Sequence, residues 1–75
     1  MNNQITGLDL KIKEMATRIK ELREIEGMSP ITMAKLTDVS VEEYNACENG
    51  QHDLSFAFIY RCALAFHVDV TDIVE

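Results

Sequence analysis

Residues 29–50 read SPITMAKLTDVSVEEYNACENG, and this stretch decides the fold. Ser29 is a favourable N-cap residue, because its hydroxyl can accept a hydrogen bond from an amide in the first helical turn. Pro30 suits the first helical position, where its missing N–H would have no partner in any case. The residues TDV then make a short turn, so the stretch predicts a first short helix at 30–37.

A second short helix follows the turn directly. Ser40 and Glu43 form the S-x-x-E pattern of a capping box, which marks a helix start. The Asn-Gly pair at 49–50 ends the helix, since glycine accepts the left-handed conformation. Two short helices at 30–37 and 41–48, separated by three residues, have the spacing of a helix-turn-helix.

Upstream of this stretch the sequence predicts one long amphipathic helix that ends at Gly27. Thr6 and Asp9 fit a capping box at its start. Its apolar residues recur in steps of four and three, which places them on one side of a helix. These residues are Leu8, Ile12, Met15, Ile19 and Leu22.

Downstream, two further helices are predicted. Ser55 is the expected N-cap of a helix that runs to about Phe66, with His67 in the left-handed position after it. Asp69 is the expected cap of a last, very short helix. No segment alternates with the period of two that strands require. The sequence therefore predicts an all-α domain of five helices joined by short turns.

Length and composition are those of one small soluble domain. The chain has 75 residues, of which 47% are hydrophobic and 27% are charged. No apolar run approaches the roughly 20 residues that span a bilayer, and no signal-peptide pattern is present, so the cytoplasm is the expected location. Cys47 and Cys62 lack zinc-ligand spacing and are expected to be buried, reduced thiols, so no metal site and no cofactor are predicted.

The charge of the chain is negative and unevenly distributed. The net charge is −6, against the basic balance expected of a nucleic-acid binder. Residues 1–35 hold six bases and five acids, a difference of +1, whereas residues 36–75 hold eight acids against Arg61 alone, a difference of −7. The predicted second short helix lies in the acidic half.

Over about residues 15–75 the chain resembles the lambda-repressor-like (Xre) helix-turn-helix domains. The segments RIKELREIEGMS, MAKLTDVS, CENG and RCALAFHVDVTDIV carry the resemblance, in this order and without insertion. Residues 1–14 lie outside it and are expected to form a helical N-terminal extension that packs on the bundle. The resemblance implies a five-helix domain that places its third helix in the major groove of double-stranded DNA.

The resemblance also implies an ion pair between Arg23 and Glu48 that ties the first helix to the third. The fork of an arginine suits a carboxylate at such a crossing. The family's core positions fall on Ile19, Leu22, Met28, Met33, Ala34, Val39, Tyr44, Ile59, Cys62, Ala63, Phe66, Val68 and Ile73.

Several candidate DNA contacts depart from the family pattern. Pro30 stands where the family usually has glutamine, and Asp38 stands where the turn usually has glycine. The exposed side of the third helix is acidic rather than basic. The candidate DNA-binding residues are Arg18, Ser29, Pro30, Ser40, Val41, Glu42, Asn45, Ala46, Asn49, Gln51 and His52. Because affinity for DNA comes mainly from basic side chains that contact phosphates, we expect weak DNA binding by the isolated domain.

The fourth helix, SFAFIYRCALAF, is apolar on all sides except at Arg61. The family usually keeps positions 57, 58 and 64 polar, but here they are Ala57, Phe58 and Leu64. One explanation is that Ile5, Leu8 and Leu10 of the extension cover this side. The other is a dimer interface or a docking face for a further C-terminal domain, which an N-terminal piece of a longer regulator would have.

Two functions remain open at this stage. One is the DNA-binding domain of a transcriptional regulator, strengthened by dimerisation. The other is a protein-interaction or dimerisation module that keeps the fold and has lost DNA binding. An enzyme is not expected, because the sequence holds no paired nucleophile and base, no metal spacing and no glycine-rich phosphate loop.

Overall fold

The computed structural model describes residues 7–75, and most of them are helical. The helices are α1 (Gly7–Ile25), α2 (Pro30–Thr37), α3 (Val41–Glu48), α4 (Phe56–Phe66) and α5 (Thr71–Val74). This described part of the chain contains no strand. The prediction of an all-α domain with five helices is confirmed.

Helix α1 packs on the bundle through its apolar stripe. Ile12, Met15, Ile19 and Leu22 are buried, as the 3.6-residue period predicts. Leu8 is 66% exposed, so the stripe is covered only from Ile12 onward. Thr6, the expected cap, lies outside the described residues, and the division into an extension at 1–14 and a domain at 15–75 stays a prediction.

Serine caps begin three of the helices, as predicted. The hydroxyls of Ser29, Ser40 and Ser55 accept hydrogen bonds from the third residue after each of them, at 3.0–3.1 Å. All three serines have extended backbone angles, the usual conformation of an N-cap. These local contacts fix where α2, α3 and α4 start.

Four helices end in the same way, with a residue in the left-handed conformation. Gly27, Asp38, Gly50 and His67 have φ values of 70, 62, 73 and 59°. The amide after each of them donates to the carbonyl five residues earlier, at 2.9–3.1 Å, which is the Schellman arrangement. The predicted roles of Gly27 and His67 are therefore confirmed, and Asp38 adopts the glycine-like conformation of the turn.

The start of α5 differs from the prediction. Asp69 was the expected cap, but α5 begins at Thr71 and has no side-chain cap. Instead, the carboxylate of Asp72 accepts a hydrogen bond from the Asp69 amide at 2.9 Å. Asp72 lies in the first turn, where the partial positive charge of the helix N-terminus favours an acid.

The core lies where the five helices meet, with α2 packed against α3 and α4. Every predicted core residue is in it: Met28, Val39 and Val68 are partly buried and the others are buried. Tyr44 is fully buried, and its ring lies 5.9 Å from that of Phe58, centroid to centroid.

Phe58 therefore belongs to the core and not to an exposed interface. It is 5% exposed, whereas Ala57 and Leu64 face outward. An α-helix that is apolar on all sides does not reveal from its sequence which side is inward, and the structure turns Phe58 toward Tyr44. Leu8 and Leu10 are themselves exposed, so neither covers the outward side of α4. Ile5 lies outside the described residues.

Candidate nucleic-acid interface

The turn between α2 and α3 is built by local hydrogen bonds. Asp38 closes α2, and the next amide, that of Val39, donates to the Ala34 carbonyl at 3.1 Å. The buried Thr37 hydroxyl donates to the Met33 carbonyl at 2.7 Å, so it has a partner inside the core. The Ser40 cap then starts α3 at once. These contacts set the angle at which α3 leaves α2.

An ion pair fixes the end of α3 to α1, as the resemblance implies. Arg23 donates to both carboxylate oxygens of Glu48, from Nε at 2.8 Å and from Nη2 at 3.0 Å. Its Nη1 donates to the Met28 carbonyl at 2.9 Å. The Tyr44 hydroxyl donates to Glu48 Oε2 at 2.6 Å. The buried carboxylate therefore has three donors, and α3 cannot rotate without breaking them.

Because Tyr44, Cys47 and Glu48 point inward, a small outward side of α3 remains. We call Val41, Glu42, Asn45 and Ala46 the reading face. The first three are exposed and Ala46 is half-buried. Asparagine can pair bidentately with adenine, a glutamate can accept from the cytosine amino group, and valine can contact a thymine methyl.

The helix N-termini next to the reading face offer few amide donors. The caps use the amides of Thr32 and Glu43. Pro30 has no N–H. The first-turn amides of Ile31, Val41 and Glu42 remain as donors of the kind that bind phosphate at helix starts. Ser29 and Ser40 are exposed, but their hydroxyls already accept the capping bonds.

The loop after α3 provides polar side chains beside these helix starts. Asn49, Gln51 and His52 are exposed. Nδ1 of His52 lies 2.6 Å from the Asp53 carbonyl oxygen and 3.8 Å from Sγ of Cys47. These contacts hold the imidazole against the loop, which limits how far it can reach.

Lys13 is a basic residue of this region that the sequence reasoning missed. A shallow groove of about 310 Å³ lies between α1 and the loop, lined by Lys13, Gly50, Gln51 and His52 among others. The Lys13 side chain lies so close to Gly50 that a Cβ there would be 3.1 Å from its Cγ. Lys13 and Gly50 are far apart in the sequence, so no local pattern signals their contact.

Arg18, a predicted flanking contact, lies elsewhere. Its Nε donates to the Asp72 carbonyl of α5 at 2.9 Å, and its Nη1 lies 3.5 Å from Glu21. It lines a groove between α1 and α5 and is not brought together with the reading face.

The buried ionisable groups beneath the interface are held in their neutral or paired forms. Burial raises the pKa of the Cys62 thiol to about 12, and it also raises the pKa of Cys47. Burial, followed by the hydrogen bond to Glu48, raises the pKa of Tyr44. Both cysteines are free thiols, as expected. Within residues 7–75 no cluster of three or more His, Cys, Asp or Glu side chains is arranged to hold a metal ion.

No helix in the described part of the chain is long and apolar enough to cross a membrane.

Comparisons with known proteins agree with this architecture. The family model described as helix-turn-helix matches residues 19–73. The restriction-modification controller protein C.AhdI from Aeromonas hydrophila superposes with a TM-score of 0.79 at 25% identity, over 85% of this chain and 97% of that one. The clp gene regulator ClgR from Corynebacterium glutamicum superposes with a TM-score of 0.81 at 17% identity, over 93% of this chain and 71% of that one, a likeness of fold alone. No curated protein matches the sequence significantly.

Proposed function

The chain belongs to the helix-turn-helix family, and on this premise we propose that it is the DNA-binding domain of a transcriptional regulator. The observation that supports this proposal best is that α3 is held in one orientation with the outward side of its N-terminal part exposed to solvent. The bidentate Arg23–Glu48 pair locks this helix while its reading face stays open to solvent. A rigid helix with an exposed first turn is the element that enters a major groove.

The proposed contacts divide into two groups. Val41, Glu42 and Asn45 contact base edges in the major groove, and Asn45 supplies the most specific pairing, with adenine. Phosphates are contacted by the first-turn amides and by the side chains around the loop, and Lys13, which lines the groove beside that loop, supplies a cation. Each good base contact is worth about 1–3 kcal/mol of discrimination.

Affinity is expected to be low for one domain. Glu42 and Glu43 lie in the first turn of α3, where they stabilise the helix but place negative charge toward the phosphates. Two such charges cost roughly 1 kcal/mol each near a phosphate in water, and salt reduces this. A second domain that binds at the same time restores affinity, so the domain acts as a homodimer or beside a further domain. We place this activity in the cytoplasm and assign no catalysis to the chain.

A second candidate function is a protein-interaction module with the same fold. The acidic first turn of α3 favours it, because Glu42 and Glu43 suit a basic partner better than a polyanion. This candidate predicts no binding to duplex DNA even at low salt.

Titration onto random duplex DNA at several salt concentrations separates the two functions. Detectable binding at low salt, with a log–log salt slope of a few units, supports a DNA-binding domain and counts the phosphates it contacts. No binding by the folded protein at low salt contradicts this function and leaves the interaction module.

The role of Lys13 is tested against that of Lys11 on the same helix. Lys13→Gln removes the cation beside the loop after α3, so it should lower affinity and reduce the salt slope by about 1. Lys11→Gln removes the same charge on the side of α1 that lines the α5 groove, and it should change little. Equal effects of both substitutions would show that only net charge matters.

A further inference from the structure

Within residues 7–75, no element covers the outward side of α4, which is largely apolar. We define the α4 face as Phe56, Ala57, Tyr60, Arg61 and Leu64, all of which are exposed. Phe56 is 69% and Leu64 is 56% exposed, which is unusual for such large apolar residues two turns apart on one helix. The rings of Phe56 and Tyr60 stack, with centroids 6.1 Å apart and planes at 22°. This stacking restricts the movement of both rings at the N-terminal end of the α4 face.

A shallow hollow lies at the other end of this face. It has a volume of about 200 Å³ and is lined by Leu36 at the end of α2 and by Arg61, Leu64 and Ala65 of α4. Leu36 is itself about half exposed. The face therefore combines a projecting aromatic residue at one end with an apolar hollow at the other.

We propose that the α4 face binds a second copy of this chain, with the two α4 helices antiparallel and a two-fold axis near Tyr60. This inference rests on the dimer within the proposed function and specifies its interface. Phe56 of each copy enters the hollow beside Leu64 of the other, and the two Tyr60 side chains meet at the axis.

The spacing along α4 supports this arrangement. Phe56, Tyr60 and Leu64 are each four residues apart, so they form one row on the helix with Tyr60 at its centre. A two-fold axis that lies in the plane of the interface and crosses the row at Tyr60 exchanges the two ends of the row between the copies. Because Phe56 lies at one end and the hollow beside Leu64 lies at the other, this rotation brings each onto its complement. Such self-complementarity is what an isologous interface requires.

Charge favours a copy that approaches through this face. Each chain carries a net charge of −6, so two copies repel wherever acids meet. The α4 face contains no acid, and its single charge is that of Arg61. In the antiparallel arrangement the guanidinium lies next to the partner's Phe56 ring, a cation–π contact that partly compensates for the lost water.

The size of the face fits a weak dimer. Roughly 400 Å² of apolar surface per copy comes from four side chains, each about half exposed or more: Phe56, Tyr60 and Leu64 of the α4 face and Leu36 of the hollow. Two copies then bury less than the ~1,200 Å² at which stable interfaces begin. The expected dimer is concentration-dependent and is populated best when DNA holds two copies side by side.

Sedimentation equilibrium of the purified chain without DNA tests the interface. The wild type should show a reversible monomer–dimer equilibrium. Phe56→Lys and Leu64→Glu should each weaken self-association at least tenfold, because each places an unpaired charge against the apolar partner surface. An equimolar mixture of the two variants should recover association, since only the mixed pair sets Lys at 56 against Glu at 64.

Ile25→Glu serves as the matched control, because Ile25 is a similarly exposed apolar residue on α1. It should leave dimerisation unchanged, and circular dichroism should show all variants folded. A wild type that stays monomeric at several hundred micromolar overturns the inference, as does a mixture that fails to associate. A chain that dimerises but does not bind DNA would contradict the proposed function and leave this interface standing. A chain that binds DNA but stays monomeric would contradict this interface and leave the proposed function standing.

Discussion

Glu48 accepts hydrogen bonds from two nitrogen atoms of Arg23 and from the hydroxyl of Tyr44. The carboxylate is almost fully buried, with 7% of its side chain exposed. A charge in this position is tolerated only because its partners replace the lost water. The group therefore acts as one unit, and the loss of any member leaves the others with unsatisfied polar atoms.

Arg23→Met should destabilise the domain by about 3 kcal/mol, because it leaves the Glu48 carboxylate buried without its cation. It also removes the donor to the Met28 carbonyl that holds the turn after α1. For a domain of this size that is a large part of the total stability. Urea unfolding followed by circular dichroism measures the change.

The double variant Arg23→Met with Glu48→Met is the control for this reading. It removes both charges together, so it should be more stable than Arg23→Met alone. Equal or lower stability of the double variant would mean that the buried carboxylate is not the source of the cost.

The buried thiols make stability sensitive to alkaline pH. The pKa of Cys62 is about 12 in the folded chain, above its ordinary value of 9.0, because burial disfavours the thiolate. The unfolded chain therefore loses this proton first, so the free energy of unfolding falls as pH rises from about 9 toward 12. Cys62→Ala should flatten this fall in urea titrations at pH 8, 9 and 10. An unchanged pH dependence in the variant would contradict the assignment.

At the scale of helices, the four left-handed ends divide into two kinds. Gly27 and Gly50 take positive φ without steric cost, whereas Asp38 and His67 place a Cβ close to the backbone. Aspartate tolerates this conformation because its short polar side chain can hydrogen-bond to the nearby backbone, so the cost should be larger at His67. The same hydrogen bonds close all four helices, and only the side chain differs.

His67→Gly should therefore stabilise the domain by about 1 kcal/mol through relief of strain in the folded state. The extra conformational entropy of glycine in the unfolded chain offsets part of this gain. A gain of about 1 kcal/mol corresponds to a rise in Tm of roughly 4–8 °C for a domain of this length. Asp38→Gly should give a smaller rise. In contrast, Gly27→Ala should lower Tm, since it introduces the strain that His67→Gly removes. Differential scanning calorimetry measures the Tm of the three variants, and a lower Tm for His67→Gly than for the wild type would contradict the strain argument.

Helix boundaries were predictable because their causes are local. Ser29, Ser40 and Ser55 lie three residues before the amides they cap, so the sequence shows both partners together. The inward side of α4 was not predictable from an apolar pattern without polar residues to mark the outside, and Phe58 was misplaced for that reason. The contact of Lys13 with Gly50 depends on how α1 crosses the loop after α3, which only the tertiary packing determines.

Charge is the property of the whole molecule that bears most directly on DNA binding. The acids are concentrated after residue 35, and the cations lie mainly on α1. The molecule measures 40 × 25 × 20 Å, which is two to four times the Debye length of about 10 Å at 0.1 M salt. Under these conditions the position of a charge matters more than the net charge of −6.

This difference between local and net charge gives the last prediction. Glu42→Gln removes one negative charge from the reading face and keeps the shape of the side chain, so it should raise affinity for random duplex DNA several-fold at 0.1 M salt. Glu75→Gln changes the net charge equally at the end of α5, a helix that packs on α1 and α4. At 0.1 M salt, screening should make the effect of Glu75→Gln on DNA affinity small. Near 0.01 M salt, where the Debye length is about 30 Å, the gain in affinity from Glu75→Gln should approach that from Glu42→Gln. Fluorescence anisotropy with a labelled duplex at both salt concentrations measures the two affinities. Equal gains at 0.1 M would show that α3 does not face the DNA more closely than α5 does.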